Sequence, residues 1–232
     1  MNIIVTGFEK YADFSYNPSQ LAVESLPDEI TLAQDMEPIS LTKLVFKSCC
    51  EDARDALGAR LAALDDDPAA VILSGLAPTR DRINLERFAL NIRDYRLADE
   101  RGHQPAGERI DAAGPDAIRT DLPLRAMAQL LVGRGFLCEV SNHAGTFLCN
   151  EIYYRALRAA QLTGRRRASL FVHLPLPESY VTAMGRQSQQ AGSSEHLQAA
   201  TIKVFAAALE DIASISAAWL LKPDPIVAAT LA

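Results

Sequence analysis

A glycine-containing turn, Ser141-Asn142-His143-Ala144-Gly145-Thr146, runs into Phe147-Leu148-Cys149-Asn150 and then the helix-like Glu151-Ile152-Tyr153-Tyr154. Cys149 therefore falls where a helix begins. A thiol in the first helical turn feels the positive end of the macrodipole, which favours the thiolate, the nucleophilic form. Cys149 is the candidate nucleophile; the alternative is a small core residue. Cys50 sits on a helical apolar stripe beside Cys49, and Cys138 lies in a strand-like run. All three read as core positions.

A thiol nucleophile needs a base, and the base needs an orienting group. The chain has four histidines. His103 lies in a charged excursion, His143 in the turn before Cys149, and His196 near the start of an amphipathic helix. His173 closes the apolar run Leu170-Phe171-Val172, and ligand sites in open α/β sheets form outside the carboxyl ends of strands. It is the better base candidate, against a structural histidine bonded to backbone. Glu86, in Ile83-Asn84-Leu85-Glu86-Arg87-Phe88-Ala89-Leu90-Asn91, is flanked by apolar residues. A buried carboxylate needs a partner: an imidazolium, or alternatively Arg87 or Arg82 in a plain ion pair.

The spacing supports neither a phosphate loop nor a dinucleotide-binding glycine fingerprint, and no His, Cys and carboxylate cluster has metal-ligand spacing. No cofactor and no metal are expected. With 232 residues, 49% of them hydrophobic, the chain reads as one catalytic α/β domain over residues 1–232. The net charge of −6 disfavours nucleic acid as partner. The basic run Arg165-Arg166-Arg167 reads as a solvated helix end. Four cysteines without a paired spacing fit a reducing compartment. The N-terminus lacks a signal-peptide pattern, and no uninterrupted apolar run suggests a membrane span. A cytoplasmic protein without membrane partners is expected.

Short apolar runs alternate with amphipathic ones, the pattern of an α/β sheet protein. Strands are expected at Asn2–Phe8, Pro38–Val45, Ala69–Leu73, Ile83–Ile92, Phe136–Val140 and Ala168–Leu174. Helices are expected at Pro18–Leu26, capped by Asn17, and at Phe46–Leu64, Asp116–Val132, Phe147–Gln161 and Glu195–Ile212. Asp94–Gly114 is a long polar excursion, of the kind that often carries function. Residues 185–194 read as a mobile loop and 220–232 as an extra C-terminal tail containing Pro223 and Pro225.

These residues, taken together, resemble the type I pyroglutamyl peptidases, or pyrrolidone-carboxylate peptidases. Four ordered segments carry the likeness: Thr6-Gly7-Phe8-Glu9 with Asn17-Pro18; Gly75-Leu76-Ala77-Pro78 with Glu86 to Asn91; Ser141 to Asn150; and Phe171-Val172-His173-Leu174-Pro175. The resemblance implies an open twisted mixed sheet with helices on both faces, a phosphorylase/hydrolase-like α/β/α sandwich. It implies Cys149 as nucleophile, His173 as base and Glu86 as orienting carboxylate, with Arg96 near the oxyanion. The lactam pocket would involve Phe8, Tyr11, Asn17, Phe147 and Leu148. The implied reaction removes N-terminal pyroglutamyl groups from peptides through a thioester, by a homo-oligomer, a tetramer or dimer. Where the family usually continues from the first glutamate as Pro-Phe-Gly-Gly, this chain has Lys10-Tyr11-Ala12-Asp13, and His143 replaces a small or polar residue. Rival readings are a nucleoside- or sugar-directed phosphorylase or hydrolase of similar fold, and an inactive pyroglutamyl-binding homologue.

Overall fold

The computed structural model describes residues 1–33, 36–64, 69–185 and 194–221. In chain order the elements are β1 (Asn2–Phe8), α1 (Pro18–Glu24), β2 (Glu29–Ile30), β3 (Ile39–Phe46), α2 (Cys50–Ala62), β4 (Ala69–Leu76), β5 (Ile83–Leu90), β6 (Ala117–Arg119), α3 (Leu124–Gly133), β7 (Cys138–His143), α4 (Leu148–Thr163), β8 (Arg167–Leu174), α5 (Pro177–Ala183) and α6 (Ser194–Leu221). They form one mixed sheet in the order β2-β3-β1-β4-β8-β5-β6, with β7 also paired to β5. Strands β3, β1, β4 and β8 run parallel. β5 runs against β8 and β6 but alongside β7.

Side chains alternate across a strand, so a doubly covered sheet needs apolar residues at nearly every position. Ile3, Val5, Ala70, Ile72, Leu170 and Val172 face one core with Val23 of α1, Met127 of α3 and Phe205 and Leu209 of α6. Ile4, Val71, Leu73 and Phe171 face the other with Leu57 of α2 and Ile152 and Leu157 of α4. The segment Glu195–Leu221 is long and apolar enough to span a bilayer by composition, with mean hydropathy 1.6. Here it is a core helix: Phe205, Leu209, Ile212 and Ala213 are fully buried, and the helix packs on α1 and β4.

Several sequence expectations are corrected. The helix expected over Asp116–Val132 is β6 followed by α3, because Pro123 disfavours a helical residue before it and Thr120 Oγ1 is held by the Ser169 carbonyl at 2.7 Å. The helix expected from Phe46 starts only at Cys50. Phe46 pairs with Phe8 as strand, and the Asp99 carboxylate accepts the Cys50 N–H at 3.0 Å. β7 lies two to three residues later than expected, while β2 and α5 are too short to show a period. Gly164 does end α4 in the left-handed conformation (φ 63°). Of the arginines after it, Arg165 and Arg166 are exposed as expected, but all three also bond to carbonyls. Arg165 donates to the Leu64 carbonyl, Arg166 to that of Leu220 and Arg167 to that of Leu61 at 3.0 Å. They satisfy carbonyls that the ends of α2 and α6 leave without helical partners. Leu220 and Leu221 of the expected tail belong to α6; residues 222–232 of that tail, and 186–193 of the expected loop, lie outside the described residues.

The β1–α1 connection is held by Asn17 and Ser19. Asn17 is the N-cap of α1, with Pro18 at the first helical position. Its Oδ1 accepts from the Ser19 N–H (3.0 Å) and hydroxyl (2.8 Å), and its Nδ2 donates to the Glu9 carbonyl (3.1 Å). The Ser19 hydroxyl in turn accepts the Phe8 N–H. β1 and α1 approach so closely that a Cβ on Gly7 would stand 2.6 Å from the Ser19 carbonyl oxygen. Within the connection Ala12 adopts φ 49°, where a Cβ costs roughly 1–2 kcal/mol. Asn17→Ala is expected to destabilise the fold by about 2 kcal/mol in urea titration, and no loss would show that the cap is dispensable. Ala12→Gly should leave stability unchanged or raise it by up to about 1 kcal/mol, relief of the left-handed strain offsetting the entropy glycine adds to the unfolded chain. A clear loss would mean that the left-handed conformation is unstrained.

Candidate active site

The register of three elements brings Glu86, His173 and Cys149 together. β5 and β8 pair antiparallel with Asn84 opposite His173, and β4 pairs with β8 so that Gly75 lies opposite His173. Glu86 Oε1 meets His173 Nδ1 at 2.7 Å. That leaves Nε2 for Cys149, whose hydrogen bond and charge act on the ring. Cys149 is the second residue of α4, so its N–H is one of the helix-start donors without an intrahelical acceptor. A Cβ on Gly75 would fall 3.0 Å from the Cys149 sulfur and 3.0 Å from the Phe171 ring. Glycine there leaves room for the thiol.

Helix α4 is stitched to β5 by polar bonds. Asn150 Oδ1 accepts the Leu90 N–H, and its Nδ2 donates to the Leu90 and Ile92 carbonyls, so the side chain substitutes for a strand partner. One turn on, the Tyr153 hydroxyl donates to the Glu86 carbonyl at 2.9 Å. A third link runs through Glu151, fully buried. It accepts the Tyr95 hydroxyl at 2.8 Å and pairs with Arg155 at 2.6 Å. Burial opposes its charge, but the bonds from Arg155 and Tyr95 outweigh it and hold the carboxyl below the usual range. The Tyr95 ring then stands edge-on to Phe147, 4.6 Å between centroids, which fixes the residue preceding the helix.

The electrostatics favour a charged imidazole. Burial alone would push His173 down. The hydrogen bond and charge of Cys149, then those of Glu86, reverse this and raise it to about 9. The other thiols differ: burial, foremost, pushes Cys50 up to about 11 and Cys138 to about 12. All four cysteines are free.

Of the remaining residues named by the resemblance, Tyr11 and Phe147 are half-buried, with ring centroids 6.3 Å apart. Burial raises the Tyr11 hydroxyl to about 12, with the Cys149 charge adding and Arg96 opposing. Arg96 itself is exposed. Phe8 and Leu148 are buried at 4% and 3% exposure in the core beneath, Phe8 edge-on to Phe46. Asn17 is buried, with its amide committed to the α1 cap. His143 ends β7, exposed, its Nδ1 accepting the Gly145 N–H.

Neither arginine weighed as a plain partner for Glu86 serves as one. Arg87, the next strand residue, must point to the opposite face and lines a cavity with Arg119 and Arg125. Arg82 pairs with Asp81 at 2.8 Å and Glu139 at 3.7 Å. The guanidinium beside Glu86 is that of Arg80, 3.8 Å from Oε1. Sequence reading missed Arg80, Tyr95, Asn150, Glu151 and Tyr153; the only local signal was a run of polar residues on a helix otherwise buried.

Comparison with known proteins agrees with this geometry. A family model described as pyroglutamyl peptidase matches residues 1–210. The pyrrolidone-carboxylate peptidase of Pseudomonas fluorescens is 38% identical over 188 residues, covering 80% of this chain and 84% of its own. That of Saccharolobus solfataricus is 34% identical over 188 residues, with the same coverage of 80% and 84%. Among solved structures, the pyrrolidone carboxyl peptidase of Thermococcus litoralis superposes with TM-score 0.78 at 27% identity, covering 96% of each chain. Pyroglutamyl peptidase I of Bacillus amyloliquefaciens gives 0.73 at 26%, covering 94% and 97%. The ordered segments, the mixed sheet and the model match across residues 1–210 agree, and the chain belongs to the pyroglutamyl peptidase family of cysteine peptidases.

Proposed function

We propose that Cys149, His173 and Glu86 carry out the family's reaction here, removal of an N-terminal pyroglutamyl group from peptides. The observation that supports it above the others is the imidazole bound at Nδ1 by a buried carboxylate (2.7 Å), beside Gly75, whose missing side chain leaves room for the Cys149 sulfur. The thiolate attacks the carbonyl joining the lactam ring to the next residue. His173 gives its Nε2 proton to the departing amine as the C–N bond breaks, leaving a thioester. His173 then takes a proton from water, the hydroxide adds to the thioester, and the thiolate leaves with pyroglutamate released. The N–H groups at the start of α4 without intrahelical acceptors supply the donors for the tetrahedral oxyanion, and the resemblance adds Arg96 to them; one such donor is worth roughly 3 kcal/mol. Tyr11 and Phe147 offer aromatic faces to the lactam, over a floor that includes Phe8 and Leu148, and Asn17 holds the loop that carries Tyr11.

With the chain in this family, a nucleoside- or sugar-directed reaction is not favoured. An inactive binder is not favoured either, because the three groups that turnover needs are adjacent. The resemblance further supports a homo-oligomer, tetramer or dimer, and four free thiols fit a reducing, cytoplasmic setting.

Cleavage of a pyroglutamyl aminocoumarin amide tests the reading. Cys149→Ala should lower kcat/KM by at least ~10³-fold with the fold intact; retained activity would remove Cys149 from the nucleophile role. The pH profile gives a second test. His173 is raised from 6.5 to about 9, so the imidazolium and the stability it contributes are fully present below about 6.5 and are lost as pH rises through about 9. The alkaline limb of kcat/KM should therefore lie near 9, and a limb near 6.5 would contradict the charged pair.

A further inference from the structure

Glu86 is fully buried, and its second oxygen, Oε2, has no hydrogen-bond partner among the described residues. A carboxylate in that position needs a nearby cation, because burying an uncompensated charge costs several kcal/mol. His173 meets the need only while it is an imidazolium. In the thioester intermediate it has given its proton to the departing amine and is neutral. During that interval the nearest permanent cation is Arg80, whose Nη2 lies 3.8 Å from Glu86 Oε1.

Arg80 is itself held in place. Its Nη1 donates to Asn84 Oδ1 at 2.9 Å and its Nη2 to the Ser141 hydroxyl at 3.2 Å. It thus joins the turn before β5 to β5 and β7 from one side of Glu86, while His173 approaches from β8. The other charged and titratable groups around the carboxylate do not replace it. Cys149 is the nucleophile, bonded to sulfur in the thioester. Tyr153 donates to the Glu86 backbone carbonyl, and Asp121 near Tyr153 has the wrong sign. Glu139 of β7 is bonded to Asn84 and paired with Arg82.

We propose that Arg80 is a positioning residue for the second half of the reaction: it keeps Glu86 a carboxylate while His173 is neutral, so that His173 is ready to deprotonate the hydrolytic water. Without the guanidinium, the Glu86–His173 pair takes up a proton more readily in the thioester state, and one proton then lies between Oε1 and Nδ1. Nδ1 then accepts, Nε2 carries the ring hydrogen, and the ring has no free nitrogen facing the water. The thioester waits until that proton is lost. The first half is affected less, because the imidazolium then compensates the carboxylate.

This inference rests on the triad reading above, and its test fails differently. Loss of activity in Cys149→Ala addresses the triad; the Arg80 variants are read in wild-type Cys149. An activated pyroglutamyl ester makes thioester hydrolysis rate-limiting, so its kcat reports the second half and its kcat/KM the first. Arg80→Met should lower ester kcat about tenfold near about pH 6 with kcat/KM changed much less, and the deficit should shrink towards about pH 8. Arg80→Lys, which restores the charge but cannot reproduce both the Asn84 and Ser141 bonds, should recover most of kcat. The proposal is overturned if kcat and kcat/KM fall together in Arg80→Met at every pH, or if kcat is unchanged. It is equally overturned if Arg80→Lys folds and still shows a pH-independent loss, which would make the fork of hydrogen bonds, a structural role, the residue's contribution. Should Arg80→Met not fold, Arg80→Lys alone decides by the same criterion.

Discussion

The contact on which the rest depends is the 2.7 Å bond between a carboxylate in β5 and an imidazole in β8. It joins two neighbouring strands of opposite direction, β5 standing antiparallel beside the parallel set of β3, β1, β4 and β8. It is also fully enclosed, and an ionised carboxylate carried into a protein interior is tolerated only with its partners in place. The sheet order and the chemistry are therefore one constraint: moving β5 by one residue would turn Glu86 to the opposite face and leave His173 without its orienting group.

The nucleophile joins that pair by a different kind of fit. Apolar packing sets how far α4 stands from the sheet, but it tolerates small slides along the helix axis. Asn150, Glu151 and Tyr153 remove that freedom, because each makes a directional bond from the first turns of α4 to β5 or to the segment after it. Hydrogen bonds weaken steeply with misalignment, so this short polar row fixes the sulfur position more tightly than the buried leucines behind it. The missing side chain at Gly75 completes the fit from the β4 side.

Much of this was legible in the chain. The inner strands announce themselves as near-continuous apolar runs because both faces are covered. Asn17-Pro18 marks a helix start by its chemistry, and the three reacting residues stand out through four ordered segments. What was hidden is long-range and polar. Asp99 caps α2 from 49 residues away, and Arg165 reaches a carbonyl 101 residues back, separations at which no local pattern exists. Nothing in the sequence singles out Arg80, because Arg82 and Arg87 stand closer to Glu86; strand alternation excludes Arg87, but only contacts separate Arg80 from Arg82. The boundary at Pro123 is hidden because the apolar spacing of α3 continues smoothly backwards into β6.

The burial of the cysteines has a practical side. Cys49, Cys50 and Cys138 are buried at 1%, 4% and 8% exposure, the last two within the cores, and burial keeps Cys50 and Cys138 protonated. Cys149 alone is half-open. In the native protein a thiol-reactive dye thus has one address, and the number of labels per chain counts functional sites directly. Any increase beyond one per chain marks the opening of a core, so the same reagent distinguishes an occupied site from an unfolding molecule.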